Sequence, residues 1–201
     1  GPAGSGKSTV AGALAEKLGG RKLDTGAMYR AFARTALDAG VAESPQAVAD
    51  LARRFTLEFT AGRWIAMGCD VTDVIRTPEV SSWASRLSAL SVVREALVPI
   101  QRVLALPGPT VAEGRDMGTV VFPDAPVKFF LTAGPEARAR RRHAELLARG
   151  VDVSFESVLA EQQERDERDE QRAVAPLRPA ADALVVDTTA MGVQEVVDFL
   201  Y

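Results

Sequence analysis

Residues 1–9 read Gly1-Pro2-Ala3-Gly4-Ser5-Gly6-Lys7-Ser8-Thr9, the spacing Gly-x-x-x-x-Gly-Lys-Ser of a loop that cradles nucleotide phosphates. Each residue type there has a physical task. The glycines let the backbone turn tightly and aim its N–H groups inward. Lys7 reaches the terminal phosphates, and the Ser8 hydroxyl ligates Mg²⁺. A helix beginning at the end of this loop points its N-terminus at the same anion. The reading therefore assigns the ATP site to Gly1, Ala3, Gly4, Ser5, Gly6, Lys7, Ser8 and Thr9, with Ser8 as the metal ligand. Such a loop needs a strand in front of it. The expectation is a short apolar strand before Gly1, in the middle of a sheet and ending in Asp.

Arginine supplies the next candidates. Four of the 24 Lys+Arg residues are lysine, which leaves 20 arginines. Coding bias explains a total of that size, so position decides which guanidinium groups matter. The planar fork of arginine matches phosphate oxygens, and Arg30 and Arg115 are candidates to hold one by paired bonds. Arg138, Arg141 and Arg142 stand at i, i+3 and i+4 of a basic helical segment, so they share a face. Like charges on one face repel, which points to an anionic partner. Arg165, Asp169 and Arg172 stand at i, i+4 and i+7, again one stripe. On the residues alone, a salt-bridged exposed face with Glu161, Glu164 and Arg168 is the favoured reading of that stripe. A solvated Arg30 and a local Arg115–Asp116 ion pair stay open in the same way. On spacing alone, Ser85 and Arg94 read as ordinary helix residues.

The elements that must position these groups alternate between helix and strand. Helical spacing covers Thr9–Leu18, about Ala27–Ala39 with Thr25 as its cap, Pro45–Arg54, about Pro78–Leu90 and Val92–Leu106. Lys22–Asp24 reads as a short strand, Thr110–Ala112 and Val127–Leu131 as short apolar runs of the kind that form buried parallel strands, and Leu184–Val186 as the last strand. Phe55–Thr60 and Arg63–Met67 flank Ala61-Gly62 as a hairpin, and Val71–Ile75 is expected to add a strand. Gly134-Pro135 opens a basic helix to about Arg149. Phe155–Gln171 and Val193–Leu200 complete the set. Strands alternating with helices predict an α/β fold with a parallel sheet flanked by helices.

Several classes fall away. Net charge is −3, which exerts no general pull toward nucleic acid or membrane. The stripe on 138–142 lacks the interleaved aromatics of an RNA-binding surface. A single cysteine, Cys69, fits a reducing compartment and reads as packing or loop. No apolar run approaches the ~18 residues of a membrane span. The chain has no asparagine, so it has no Asn-Lys-x-Asp element for reading guanine as signalling GTPases do. Trp64, Trp83 and Tyr29 read as packing, and His143 as a surface residue. A small-molecule kinase remains.

Three further segments carry a resemblance. Asp24-Thr25-Gly26-Ala27-Met28-Tyr29-Arg30, Glu113 through Pro123 (beginning Glu113-Gly114-Arg115-Asp116) and Arg165 through Pro176 resemble, in order and spacing, the signatures of bacterial cytidylate kinases. The likeness spans essentially the whole chain. It implies a P-loop kinase fold with a core of 1–43, 108–133 and 154–201, a nucleotide-binding insert at 44–107 and a short helical lid at 134–153. It implies transfer of the γ-phosphoryl of ATP to CMP and dCMP, with Mg²⁺, in a cytoplasmic monomer that engages neither nucleic acid nor membrane. UMP, AMP or shikimate-type kinases are the neighbouring alternatives, and a nucleotide-dependent RNA-binding protein is a more distant one.

Carried over residue by residue, the resemblance places Thr25, Arg30, Ser85, Arg94, Arg115, Asp116, Arg165, Asp169 and Arg172 at the CMP. Arg165 and Asp169 would meet its 2′-hydroxyl, and Asp116 would accept from the cytosine amine. Lys7, Arg138, Arg141 and Arg142 become the catalytic cations. Thr25 stands where the family often has Ser. Glu113 stands where it commonly has Asp, and a water-mediated metal role there keeps an acidic side chain.

Overall fold

Residues 1–201 are described by a computed structural model. In chain order its elements begin with α1 (Lys7–Lys17), β1 (Arg21–Asp24), α2 (Thr25–Asp38), α3 (Pro45–Arg54), β2 (Leu57–Thr60), β3 (Arg63–Ala66), β4 (Cys69–Asp70) and α4 (Pro78–Leu87). They continue with α5 (Ser91–Ala105), β5 (Thr110–Glu113), a five-residue π-helical turn (Met117–Val121), β6 (Phe129–Thr132), α6 (Pro135–Ala148), α7 (Phe155–Gln171), β7 (Leu184–Asp187) and α8 (Val193–Leu200). This is a mixed α/β fold with parallel strands flanked by helices. The chain divides into two compact units, Gly1–Lys22 with Pro109–Tyr201, and Leu23–Gly108. No helix is long and apolar enough to cross a membrane.

In the first unit, Gly6 adopts the left-handed conformation (φ 85°) that turns the loop into α1. The apolar face of α1 buries Val10, Ala11, Leu14 and Ala15. Strands β6 and β7 pair in parallel from Phe129↔Leu184 to Thr132↔Asp187. Val10, Leu131, Val196 and Val197 form one core cluster, which ties α1 and α8 to β6. A second cluster joins Ala139 and Leu146 of α6 to Val158 of α7, so the two arginine-bearing helices are fixed to each other. Pro135 at its first turn starts α6, and Ser154 caps α7 by accepting from the Ser157 N–H at 3.2 Å.

The second unit holds the antiparallel sheet β2–β3–β4 and helices α2–α5. Ala61 (φ 49°) and Gly62 (φ 78°) make the hairpin turn between Thr60 and Arg63, the tight turn whose two central residues both need positive φ. Met67 (φ 50°) and Gly68 (φ 79°) repeat that device, and the chain pairs at once as β4. The strand expected at Val71–Ile75 is therefore displaced to Cys69–Asp70. The N–H groups of Val74 and Ile75 instead close a turn on the Val71 carbonyl, while Val71 and Ile75 fill the core. Cys69 lies exposed on this short strand. A second expectation also changes: Asp24, not Thr25, caps α2, its carboxylate accepting from the Ala27 N–H at 2.8 Å. Phe32, Met28, Ile75, Leu97, Val48, Val80 and Val93 fill the centre of this unit, with Phe32 edge-on to Phe55 at 5.0 Å. Trp64 is buried against Phe59, as its packing role required.

Candidate active site

The phosphate loop is held from several sides. A Cβ at Gly1 would stand 2.0 Å from the Leu131 carbonyl oxygen, so only glycine lets the loop lie this close to β6. A Cβ at Gly4 (φ 73°) would stand 3.0 Å from the Arg138 Cβ and carbonyl oxygen of α6. Ser5 is fully buried, and its hydroxyl donates to the Pro2 carbonyl at 3.1 Å. Lys7 Nζ donates to the same Pro2 carbonyl and to Ser5 Oγ. Ser8 and Thr9 are exposed at the start of α1. Lys22, on β1, donates from Nζ to Ser8 Oγ, and Glu113 Oε1 lies 3.6 Å from the same ammonium.

Around this loop the fold gathers cations. Arg115, just beyond β5, donates from Nε to Asp169 Oδ2 at 2.9 Å. Arg172 stands 4.0 Å from the other oxygen of that carboxylate. Asp169 and Arg172 are buried and Arg165 is partly covered, so this stripe of α7 is not the solvated face that its composition allowed. That description fits Glu164 beside it better, an exposed carboxylate paired at i, i+4 with the half-buried Arg168. Burial favours the neutral form of Asp169, yet Arg115, Arg165 and Arg172 outweigh it and hold the carboxyl below its ordinary pKa. Burial, and next the Arg115 charge, push Lys7 well below the ordinary lysine pKa. Arg165 adds to that push, and Glu113 and Asp169 oppose it. Lys7, Arg115 and Arg165 thus act on one another as like charges, an arrangement that an anion would relieve.

The π-helical turn follows Asp116 directly. The Asp116 carbonyl accepts from the N–H groups of Thr119, Val120 and Val121 and from the Thr119 hydroxyl. A widened turn of this kind re-aims a side chain without breaking the backbone bonds, and Asp116 is 2% exposed there. No periodicity announced it.

The basic helix α6 corrects a second expectation. Its three arginines are not an unpaired positive face. Arg138 is buried, pairs with Asp166 at 2.6 Å and donates to the carbonyls of Ala133 (2.8 Å) and Ala3 (3.0 Å). Arg142 pairs with Glu145 at 2.9 Å, and Arg140 with Glu136. Arg141 donates to the Thr188 carbonyl at 2.6 Å and to Thr188 Oγ1 at 3.2 Å, and its guanidinium lies about a side-chain contact from Gly6. Thr188 is itself buried at the end of β7, with Oγ1 3.3 Å from the Ser5 carbonyl and 3.0 Å from that of Thr132. Sequence reasoning assigned no role to Lys22, Asp166 or Thr188. Asp166 lay inside a recognised signature, and Thr188 follows the last strand, where α/β sheets place ligands. Nothing in the spacing marked Lys22.

In the second unit, Thr25 is 2% exposed at the start of α2, and Arg30 pairs with Asp24 at 3.3 Å. Ser85 of α4 and Arg94 of α5 are both buried. The Arg94 guanidinium lies 5.7 Å from the centre of the Tyr29 ring and reaches the Ser88 carbonyl at 3.5 Å. Neither is the ordinary surface-helix residue that spacing alone suggested.

No group of three or more His, Cys, Asp or Glu side chains is placed to hold a metal. The donors near the loop are oxygens, Ser8 Oγ and the Glu113 carboxylate, and Lys22 stands between them as a cation. A hard divalent ion that takes most of its ligands from phosphate and water fits such a set.

Comparison with known proteins identifies the family. The family model described as cytidylate kinase matches residues 1–201. A cytidylate kinase of Pseudomonas aeruginosa (strain LESB58) is 52% identical over 206 residues, covering 98% of this chain and 90% of the relative. Cytidylate kinases of Stutzerimonas stutzeri (strain A1501; 51% identical, 98% and 89% covered) and Pseudomonas fluorescens (strain SBW25; 48%, 98% and 90%) are similar along the same length.

Proposed function

We propose, from the premise that the chain belongs to the cytidylate kinase family, that it transfers the γ-phosphoryl of ATP to CMP and dCMP, releasing ADP and CDP or dCDP. The observation that carries the reading is the Asp169 carboxylate bound by Arg115 at 2.9 Å and faced by Arg172 at 4.0 Å, a cluster whose charges act on Lys7 of the phosphate loop.

The chemistry asks for little beyond position and charge. The acceptor phosphate of CMP is its own nucleophile, so no general base is required. Two polyanions must be brought in line while their repulsion is cancelled. The amides of Gly1, Ala3, Gly4, Ser5, Gly6, Lys7, Ser8 and Thr9 cradle the donor phosphates, and Lys7 spans the terminal ones. Ser8 Oγ would hold magnesium together with ATP, and the ion would supply further neutralisation of phosphate charge. Arg138 acts through the loop: paired with Asp166 and bonded to the Ala3 carbonyl, it fixes the shape of the cradle. Arg141 and Arg142 offer their guanidinium groups to the transferring phosphoryl, and Thr188 orients Arg141.

On the acceptor, Arg30, Arg115 and Arg172 hold the phosphate, with Thr25 adding a hydroxyl. Arg165 and Asp169 take the 2′-hydroxyl. Ser85, Arg94 and Asp116 read the base: Asp116 accepts from the cytosine amine, and Arg94 donates to its O2 and N3. Uracil puts a carbonyl where the amine stands and meets the Asp116 carboxylate unfavourably. A coupled ADP-release assay with CMP, dCMP, UMP, AMP and shikimate tests the assignment. The fastest turnover is expected with CMP and dCMP, and a preference for AMP or shikimate would overturn it.

A further inference from the structure

Lys22 has no part in the scheme above, yet it touches the residue that would carry the metal. Its Nζ donates to Ser8 Oγ and lies 3.6 Å from Glu113 Oε1. Its stem crosses α1 at Gly12, where an added Cβ would meet the Lys22 Cδ at 3.8 Å. The side chain is about one quarter exposed and Glu113 only 11%, so the carboxylate is more deeply set than its cation. The ammonium is therefore a positive charge resting on two oxygens beside the phosphate loop, one of them Ser8 Oγ.

We infer that Lys22 is a built-in counter-cation of the nucleotide site. It occupies the Ser8–Glu113 oxygen pair in the absence of metal, supports the phosphates of a metal-free nucleotide, and yields Ser8 to magnesium. An ammonium and a divalent ion held on one hydroxyl oxygen repel each other at short range, so the two compete for Ser8. An ammonium near the phosphates also replaces part of the charge that the metal brings. Both effects blunt the dependence of nucleotide affinity on magnesium. The inference rests on the kinase reading, and its test separates the two.

The probe is ADP, titrated by calorimetry into the full chain in excess EDTA and, separately, in excess magnesium. The readout is the ratio of the two dissociation constants, which requires no turnover. Lys22→Met keeps the stem over Gly12 and removes the charge. It is expected to raise that ratio about tenfold, a coupling of roughly 1.4 kcal/mol, by weakening the metal-free complex and leaving the magnesium complex as tight or tighter. Lys22→Arg keeps a charge there and is expected to stay near the wild-type ratio. A Lys22→Met ratio equal to wild type would overturn the inference, as would an equal loss of affinity with and without metal, the mark of a merely structural role. Failure of the wild type to bind ADP under either condition would overturn the kinase reading itself.

Discussion

Helices α6 and α7 carry arginine-rich stretches that look alike in the sequence and behave differently in the fold. On α7, the stripe Arg165, Asp169, Arg172 turns inward, and one carboxylate lies among Arg115, Arg165 and Arg172. On α6 the stripe divides. Arg138 is buried on Asp166 and the phosphate loop, Arg141 caps Thr188, and Arg142 pairs with its own helix near the surface. Charge spacing marks a face, but burial and the identity of the counter-charge decide what that face does. A carboxylate surrounded by cations is a hub whose loss leaves several charges uncompensated. A pair one turn apart at the surface contributes little.

That contrast sets the order of expected effects. Asp169→Ala should be the most damaging change on either helix. It leaves Arg115 and Arg172 without their shared partner and is expected to cost about 3–5 kcal/mol of stability in denaturant unfolding. CMP turnover should fall steeply with it. The carboxyl also has a pH signature. Its folded pKa lies below the unfolded value of about 3.9, so its stabilisation is present above that value and is lost as pH falls through the lower, folded one. Asp169→Asn should flatten this acid limb of the stability profile, and an unchanged limb would remove Asp169 from its central place.

The second test sets two arginines of α6 against each other. Arg138→Met breaks a buried pair and releases the Ala3 carbonyl, and about 3 kcal/mol of lost stability is expected, with weakened ATP binding. Arg142→Ala should change stability by less than about 0.5 kcal/mol. It should lower kcat more than it weakens CMP binding, which steady-state and equilibrium measurements separate. Equal stability losses at the two positions would erase the distinction between them.

How far the sequence disclosed this arrangement differs by region. The phosphate loop was legible because its chemistry fixes glycines, a lysine and a hydroxyl at set intervals. The helices of α6 and α7 were legible from Gly134-Pro135 and from the 155–171 charge pattern. The partner of each arginine was not, because Asp166 and Thr188 reach theirs through packing between distant segments. Asp24 supplied the cap expected of Thr25, since either side chain offers an oxygen that can accept a free N–H of the first turn. Val71–Ile75 has strand composition, but the Met67-Gly68 turn used the available pairing edge first. Lys22, on a four-residue strand, meets Ser8 and Gly12 of α1 through tertiary packing. No spacing rule encodes such an adjacency.

The central claim is that Arg115, held by Asp169 beside Lys7, positions the CMP phosphate. The direct measurement is kcat/KM for CMP in Arg115→Met, taken with KM for ATP in the same coupled assay. The account predicts a fall of about 10²–10³ in kcat/KM for CMP, with KM for ATP close to the wild-type value. A variant that retains CMP turnover while losing ATP affinity would contradict it and move Arg115 to the donor side.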